Sequence, residues 1–208
     1  MNPPIYRYAE EHTSPESDLL KRINRETHTD VRMPRMLSGH LQGRFLSMIS
    51  RLLRPQSILE IGTYTGYSAL CLAEGLRPGG KLITIEVNDE LERRVRGYFD
   101  KSDKRDQIDF MIGDALEIIG GLSGPFDLVW IDANKEDYSR YYDLVIDKVS
   151  PGGCILADNV LWGEKVLDPN PEKDAKALIE FVKKVNRDSR VDTMLLPLRD
   201  GIQMMIKN

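Results

Sequence analysis

The chain has 208 residues, with 29 lysines and arginines against 33 aspartates and glutamates, for a net charge of −4. That length suits one α/β domain with a sizeable core and is short for two. The acidic balance argues against a dedicated nucleic-acid binder, which carries a basic surplus.

Helices are expected through roughly the first 55 residues. Ser14-Pro15-Glu16-Ser17 reads as a helix start, with Ser14 as cap, proline first and acids in the first turn. From Gly43, Phe45, Leu46, Ile49, Leu52 and Leu53 recur at helical spacing, and Pro55 ends the run. The pattern then alternates. Strands are predicted at 58–61, 81–87, 107–112, 126–131 and 154–157, the last after a Pro151-Gly152-Gly153 turn. Helices are predicted at 67–75, 89–100, 114–119, 138–149 and 174–187. Two closing strands, 191–196 and 202–206, flank Asp200-Gly201, a hairpin signal that predicts an antiparallel pair at one edge. Strand alternating with helix predicts a doubly wound, mostly parallel, Rossmann-like sheet. The expected organisation is one domain over 1–208, with a helical segment at 1–55 and the core at 56–208.

No stretch is long and apolar enough to span a membrane, and residues 1–11 hold no apolar signal core. Cys71 and Cys154 form no Cys-x-x-Cys pair. A reduced, cytoplasmic location is the expectation.

In such a sheet, ligands sit at the carboxyl ends of the strands. The first strand breaks into Gly62-Thr63-Tyr64-Thr65-Gly66 and a helix begins at once, the arrangement of a nucleotide pocket. It is not the dinucleotide fingerprint, and no Gly-Lys-Ser/Thr follows to cradle a phosphate. Glu60, just before the loop, would repel a pyrophosphate and suits a ligand carrying an ammonium group. Glu86 closes the second strand, near the offset where an acid binds ribose hydroxyls, although a plain surface acid fits as well.

Asp132, Asp158 and Asn159 follow two further strands and offer only oxygen. Each alone reads as a cap; together they suit a hard divalent cation such as Mg²⁺. Lys135, three residues past Asp132, reads either as a solvated lysine or as a base for a hydroxyl polarised by that cation. Trp162 reads either as a core residue or as a pocket wall for an aromatic substrate.

Together these residues resemble the cation-dependent class I O-methyltransferases, the caffeoyl-coenzyme A and catechol O-methyltransferase family with its short bacterial members. The resemblance runs from about Met36 to the C-terminus. It is carried by Glu60 to Ser68, Glu86, Gly113-Asp114-Ala115, Ile131 to Tyr138, Asp158 to Gly163 and Leu196 to Gly201. It implies S-adenosylmethionine (SAM) as methyl donor, with Glu60, Gly62, Thr63 and Ser68 at its methionine end. Glu86 would then hold the ribose, Asp114 and Ala115 the adenine side, and Ser38 would reach in from the preceding helix. It also implies Asp132, Asp158 and Asn159 as ligands of Mg²⁺ (or Mn²⁺ or Ca²⁺), Asp132 also bordering the donor, and Lys135 as base. The implied acceptor is a small phenol or catechol, with neighbouring hydroxyls at the cation and an ionised oxygen taking the methyl in line. A homodimer is the family-level expectation.

The chain departs from the pattern at three places. Met194 stands where the animal enzymes place a glutamate for the second hydroxyl, Val166 to Pro171 is shorter than the plant substrate loop, and Gly39-His40-Leu41 replaces an acidic or proline-bearing segment. These departures bear on the acceptor. One alternative acceptor is 5-hydroxyuridine in tRNA, with Arg22, Arg25, Arg32 and Arg35 as a local basic patch. A dehydrogenase-like domain is disfavoured by the missing glycines, and an inert cofactor-binding module by the complete oxygen set.

Overall fold

The computed structural model describes residues 3–208; Met1 and Asn2, counted above in the N-terminal helical segment, lie outside them. Three helices come first: α1 (Pro3–Glu11), α2 (Asp18–Asp30) and α3 (Gly39–Leu53). Ser17, not Ser14, caps α2: its hydroxyl accepts the amide of Leu20 at 3.3 Å. Ser14 to Glu16 form the connection instead. Leu20, Ile23 and Thr27 are the buried face of α2. Helix α3 starts four residues before Gly43 and stops at Arg54, whose left-handed φ of 50° leads into Pro55.

The rest alternates: β1 (Ser57–Ile61), α4 (Tyr67–Ala73), β2 (Lys81–Glu86), α5 (Glu92–Phe99), β3 (Ile108–Ile112), α6 (Ala115–Gly121), β4 (Phe126–Ile131), α7 (Tyr138–Val145), β5 (Val149–Ala157), α8 (Lys173–Asn186), β6 (Val191–Leu196) and β7 (Ile202–Lys207). Among the described residues, seven strands form one sheet in the order β3-β2-β1-β4-β5-β7-β6. β1 to β5 are parallel, and β7 runs antiparallel to both β5 and β6. The predicted pair thus stands at one edge, with β6 outermost and the C-terminal strand tucked inside it.

One strand starts earlier than expected. Pro151-Gly152-Gly153 is not a turn before β5 but a bulge within it, where the register against β4 jumps from Phe126↔Val149 to Leu128↔Cys154.

Both faces of the sheet are covered. Helices α2 to α5 pack on one, around Leu46, Leu72 and Trp130; α6 to α8 pack on the other, around Ile119, Tyr142 and Phe181. β4 is therefore buried on both sides, as its apolar run requires. The order reverses direction between β1 and β4, which opens the crevice of a doubly wound sheet at their carboxyl ends. Among the described residues, no helix is long and apolar enough to cross a membrane.

Candidate active site

Backbone pairing continues past the strand ends and brings them together. Gly62 N donates to Ile85 O, Asp132 N to Ile61 O, and Asp158 N to Ile131 O, each at 2.9 Å. Gly62 sits at φ 96°, and a β-carbon on it would lie 2.0 Å from the carbonyl oxygen of Asp132. The loops after β1 and β4 meet there at backbone contact.

Beside this contact opens a crevice of about 920 Å³. Of the sequence-predicted donor-binding residues, Gly62, Glu86, Asp114, Ala115 and Asp132 line it. Glu86 accepts the amides of Tyr64 (2.7 Å) and Asn88 (2.9 Å), which fixes its carboxylate in the crevice wall. Asp114 caps α6 through the amide of Leu116 at 2.8 Å. Glu60 on β1, Thr63 in the glycine loop and Ser68 on α4 are all buried, and Ser38 is buried at the start of α3.

Glu60 is fully buried, with Thr84, its neighbour on β2, donating to one carboxylate oxygen. The other oxygen has no partner among the described residues. Burial pushes its carboxyl up to about 8, against the nearby hydroxyls of Ser68 and Thr84, and the charges of Asp132 and Glu86 add to the rise. Ser68 stands close without a hydrogen bond of good geometry. Glu60 is thus a buried acid that a cationic group brought beside it would ionise.

The oxygen residues follow β4 and β5. Lys135, itself buried, donates to Asp132 Oδ1 at 2.9 Å and to the Tyr138 hydroxyl at 2.7 Å. That hydroxyl also lies 3.1 Å from the carbonyl oxygen of Asp158. The ammonium is 4.9 Å from the centre of the Tyr138 ring and 5.9 Å from that of Trp162. Trp162 is half-buried, with its indole nitrogen donating to Glu172 at 2.9 Å.

Asp158 is 1% exposed, and its Oδ1 has no hydrogen-bond partner among the described residues. Burial raises its carboxyl well above the usual range and Asp132 raises it further, while Lys135, the nearby amide of Gln42 and Arg199 oppose the rise; the Gln42 amide stands close without a hydrogen bond of good geometry. A buried carboxylate oxygen without a donor is costly. A divalent cation between Asp132 and Asp158 would relieve that cost, so the residues present fit one. Asn159 is adjacent, at a left-handed φ of 59°.

Several residues here were not anticipated from the sequence. The α2–α3 connection contributes Met33 and Met36 to the crevice wall, and the Tyr64 hydroxyl ties it down by donating to Arg32 O at 2.9 Å. Arg199 donates to Arg35 O, Ser38 O and Gln42 Oε1, each at 2.8 Å, joining the β6–β7 turn to the start of α3. Tyr6 brings α1 toward the same end: burial raises its phenol, and it feels the charges of Arg199, Glu10 and Asp158. Tyr138 follows Lys135 by one helical turn, a spacing that could have revealed it. Arg199 gives no such signal.

The family model described as O-methyltransferase matches residues 10–208. The chain is 34% identical over 172 residues to the mouse catechol O-methyltransferase domain-containing protein 1, covering 80% of this chain and 66% of that protein, just under two thirds of its length. It is 34% identical over 176 residues to caffeoyl-CoA O-methyltransferase 1 of Eucalyptus globulus, covering 78% of this chain and 71% of that one. Among solved structures, SAH-bound methyltransferase PaMTH1 of Podospora anserina superimposes with a TM-score of 0.92 at 30% identity, over 99% of this chain and 94% of that one. The O-methyltransferase TomG of Streptomyces achromogenes, in complex with SAM, gives 0.91 at 26%, over 99% and 96%.

Proposed function

The chain belongs to the O-methyltransferase family and is by class a SAM-dependent O-methyltransferase; within that class, we propose that it methylates a hydroxyl of a catechol-like small molecule held on a divalent cation. The observation that carries this reading is the partnerless buried oxygen of Asp158 beside Asp132.

Asp132, Asp158 and Asn159 would hold the cation, whose contribution is to stabilise negative charge on an acceptor oxygen. Glu86 would hold the donor's ribose, with Asp114 and Ala115 on its adenine side. Glu60 would face its ammonium group, with Gly62, Thr63, Ser68 and Ser38 around its methionine end. Lys135 would take the proton of the acceptor hydroxyl. Its ion pair with Asp132 at 2.9 Å holds its nitrogen beside the first of the proposed cation ligands. Trp162 would flank an aromatic acceptor. Methylation of tRNA by the same site is the alternative. Of its four arginines, Arg22 is paired with Glu26 at 2.6 Å, which weakens the patch.

The test is Asp158→Ala assayed on catechol and caffeoyl acceptors, with and without EDTA. Methyl transfer falls by roughly 10²–10³-fold, the usual loss of a group that stabilises developing charge, while SAM binding survives. Full activity of the wild-type chain in EDTA would refute the cation reading.

A further inference from the structure

Asp200, on the turn between β6 and β7, is joined to the loop after β5 by both of its carboxylate oxygens. Oδ2 accepts the side-chain amide of Asn159 at 3.3 Å, and Oδ1 accepts the backbone amide of Gly163 at 2.6 Å. The backbone reinforces the join: Leu161 N donates to Asp200 O at 2.9 Å, and Val160 N to Gly201 O at 3.1 Å. The approach is close enough that a β-carbon on Gly201 would lie 2.5 Å from Leu161 Cγ. The loop needs such an anchor, because Asn159, Trp162, Gly163 and Glu164 all have positive φ, between 48° and 66°.

The contact decides which end of the Asn159 amide faces where. An ionised carboxylate only accepts hydrogen bonds, so only the NH₂ end can turn to Asp200. The carbonyl oxygen then points away from Asp200, and oxygen is the end a hard cation takes. Without Asp200, nothing in this contact would distinguish the two ends of the amide, and the NH₂ end presented to a cation would repel it.

We propose that Asp200 is a positioning residue, which holds the Asn159 amide with its oxygen turned to the cation that Asp132 and Asp158 share. The inference rests on the cation reading given above. It assigns the Asp-Gly pair a second task besides the hairpin: the aspartate orients a ligand from the neighbouring strand end, and the glycine lets the two loops touch.

The test exchanges the polarity of the pair. In Asp200→Asn the new amide still accepts from Gly163 N through its oxygen, so its NH₂ group faces that of Asn159 and drives it to flip. Mn²⁺ binding to the full chain, measured by calorimetry without SAM, weakens by about 10- to 100-fold, the range for losing a group that orients a metal ligand. In the double variant Asn159→Asp/Asp200→Asn the hydrogen bond forms in reverse, an oxygen again faces the cation, total charge is unchanged, and affinity returns to within a few-fold of wild type. Wild-type affinity in D200N overturns the proposal, and so does a loss that the double variant does not recover. If D200N fails to fold, the double variant decides alone, since it must both fold and bind. A wild-type chain that binds no Mn²⁺ sinks the cation reading itself, an outcome distinct from both.

Discussion

The carbonyl oxygen of Asp132 occupies the place that a side chain on Gly62 would need, 2.0 Å from the position of its β-carbon. The proposed donor-binding loop and the first proposed cation ligand are thereby one backbone contact, and moving either moves the other. Gly62→Ala would force the two loops apart and place alanine at φ 96°. Overpacking of this kind costs about 1–3 kcal/mol, and the left-handed backbone adds roughly 1–2 kcal/mol. The expected outcome is a lower melting temperature together with weakened SAM binding, measured by thermal denaturation and calorimetry. An alanine variant that melts and binds like wild type would show that the loops part without penalty.

Glu60 makes stability depend on pH in an unusual direction for an acid. Its folded-state value, about 8, lies above the ordinary 4.5. The folded chain therefore holds this proton more tightly than the unfolded chain. The contribution is fully present below about 4.5, falls as pH rises and is lost through about 8. Urea denaturation of wild type and Glu60→Gln at pH 5 and pH 9 reads it directly. Wild type loses stability relative to E60Q, on the order of a few kcal/mol. A donor that bears an ammonium group reverses the preference, so SAM binding releases a proton and tightens as pH rises toward 8. In E60Q that pH dependence disappears. Parallel stability profiles for the two proteins would contradict the burial argument.

Lys135 makes its hydrogen bonds to Asp132 and Tyr138 across one turn of chain. Lys135→Met keeps much of the apolar stem and removes the proton acceptor. Turnover falls by roughly 10²–10⁴-fold, the usual contribution of a general base, while the KM for SAM changes little because Lys135 does not line the donor crevice. A variant with full turnover would remove Lys135 from the chemistry and leave it a structural partner of Asp132.

The sequence reveals residues whose meaning is local. β4 is legible from end to end because, apart from Asp127, it is the apolar run that burial on both faces calls for, and Asp132 stands out because it follows that run. The start of β5 is not legible: Pro-Gly-Gly is turn chemistry, and only pairing with Phe126 and Leu128 makes it a bulge inside a strand. Ser14 and Ser17 are equally good caps by composition, and the packing of Leu20 and Ile23 decides between them. In the site, the strand-end acids follow from the alternating pattern. The contacts of Arg199 with Ser38 and of Asp200 with Asn159 do not, because they join segments far apart in the chain with no periodicity to announce them.

Arg199 spans the longest of these gaps, and its three acceptors set a demanding geometry. Two are backbone carbonyls at the entrance to α3, and the third, Gln42 Oε1, belongs to a buried side chain whose Nε2 has no partner among the described residues. The planar guanidinium reaches all three from one fork, whereas a lysine ammonium is a point donor on a flexible stem. Arg199→Lys therefore restores only part of what Arg199→Met loses. R199M leaves the carbonyls of Arg35 and Ser38 without this donor and frees residues 35–42 from the β6–β7 turn. Hydrogen bonds from a charged donor contribute about 1.5–3 kcal/mol each, so the melting temperature drops and hydrogen exchange accelerates in 35–42. Because this segment and Tyr6 of α1 lie at the Asp158 end of the site, the KM for the acceptor rises more than the KM for SAM. Equal changes in the two, or unchanged exchange in 35–42, would show that the clamp does not shape the acceptor end.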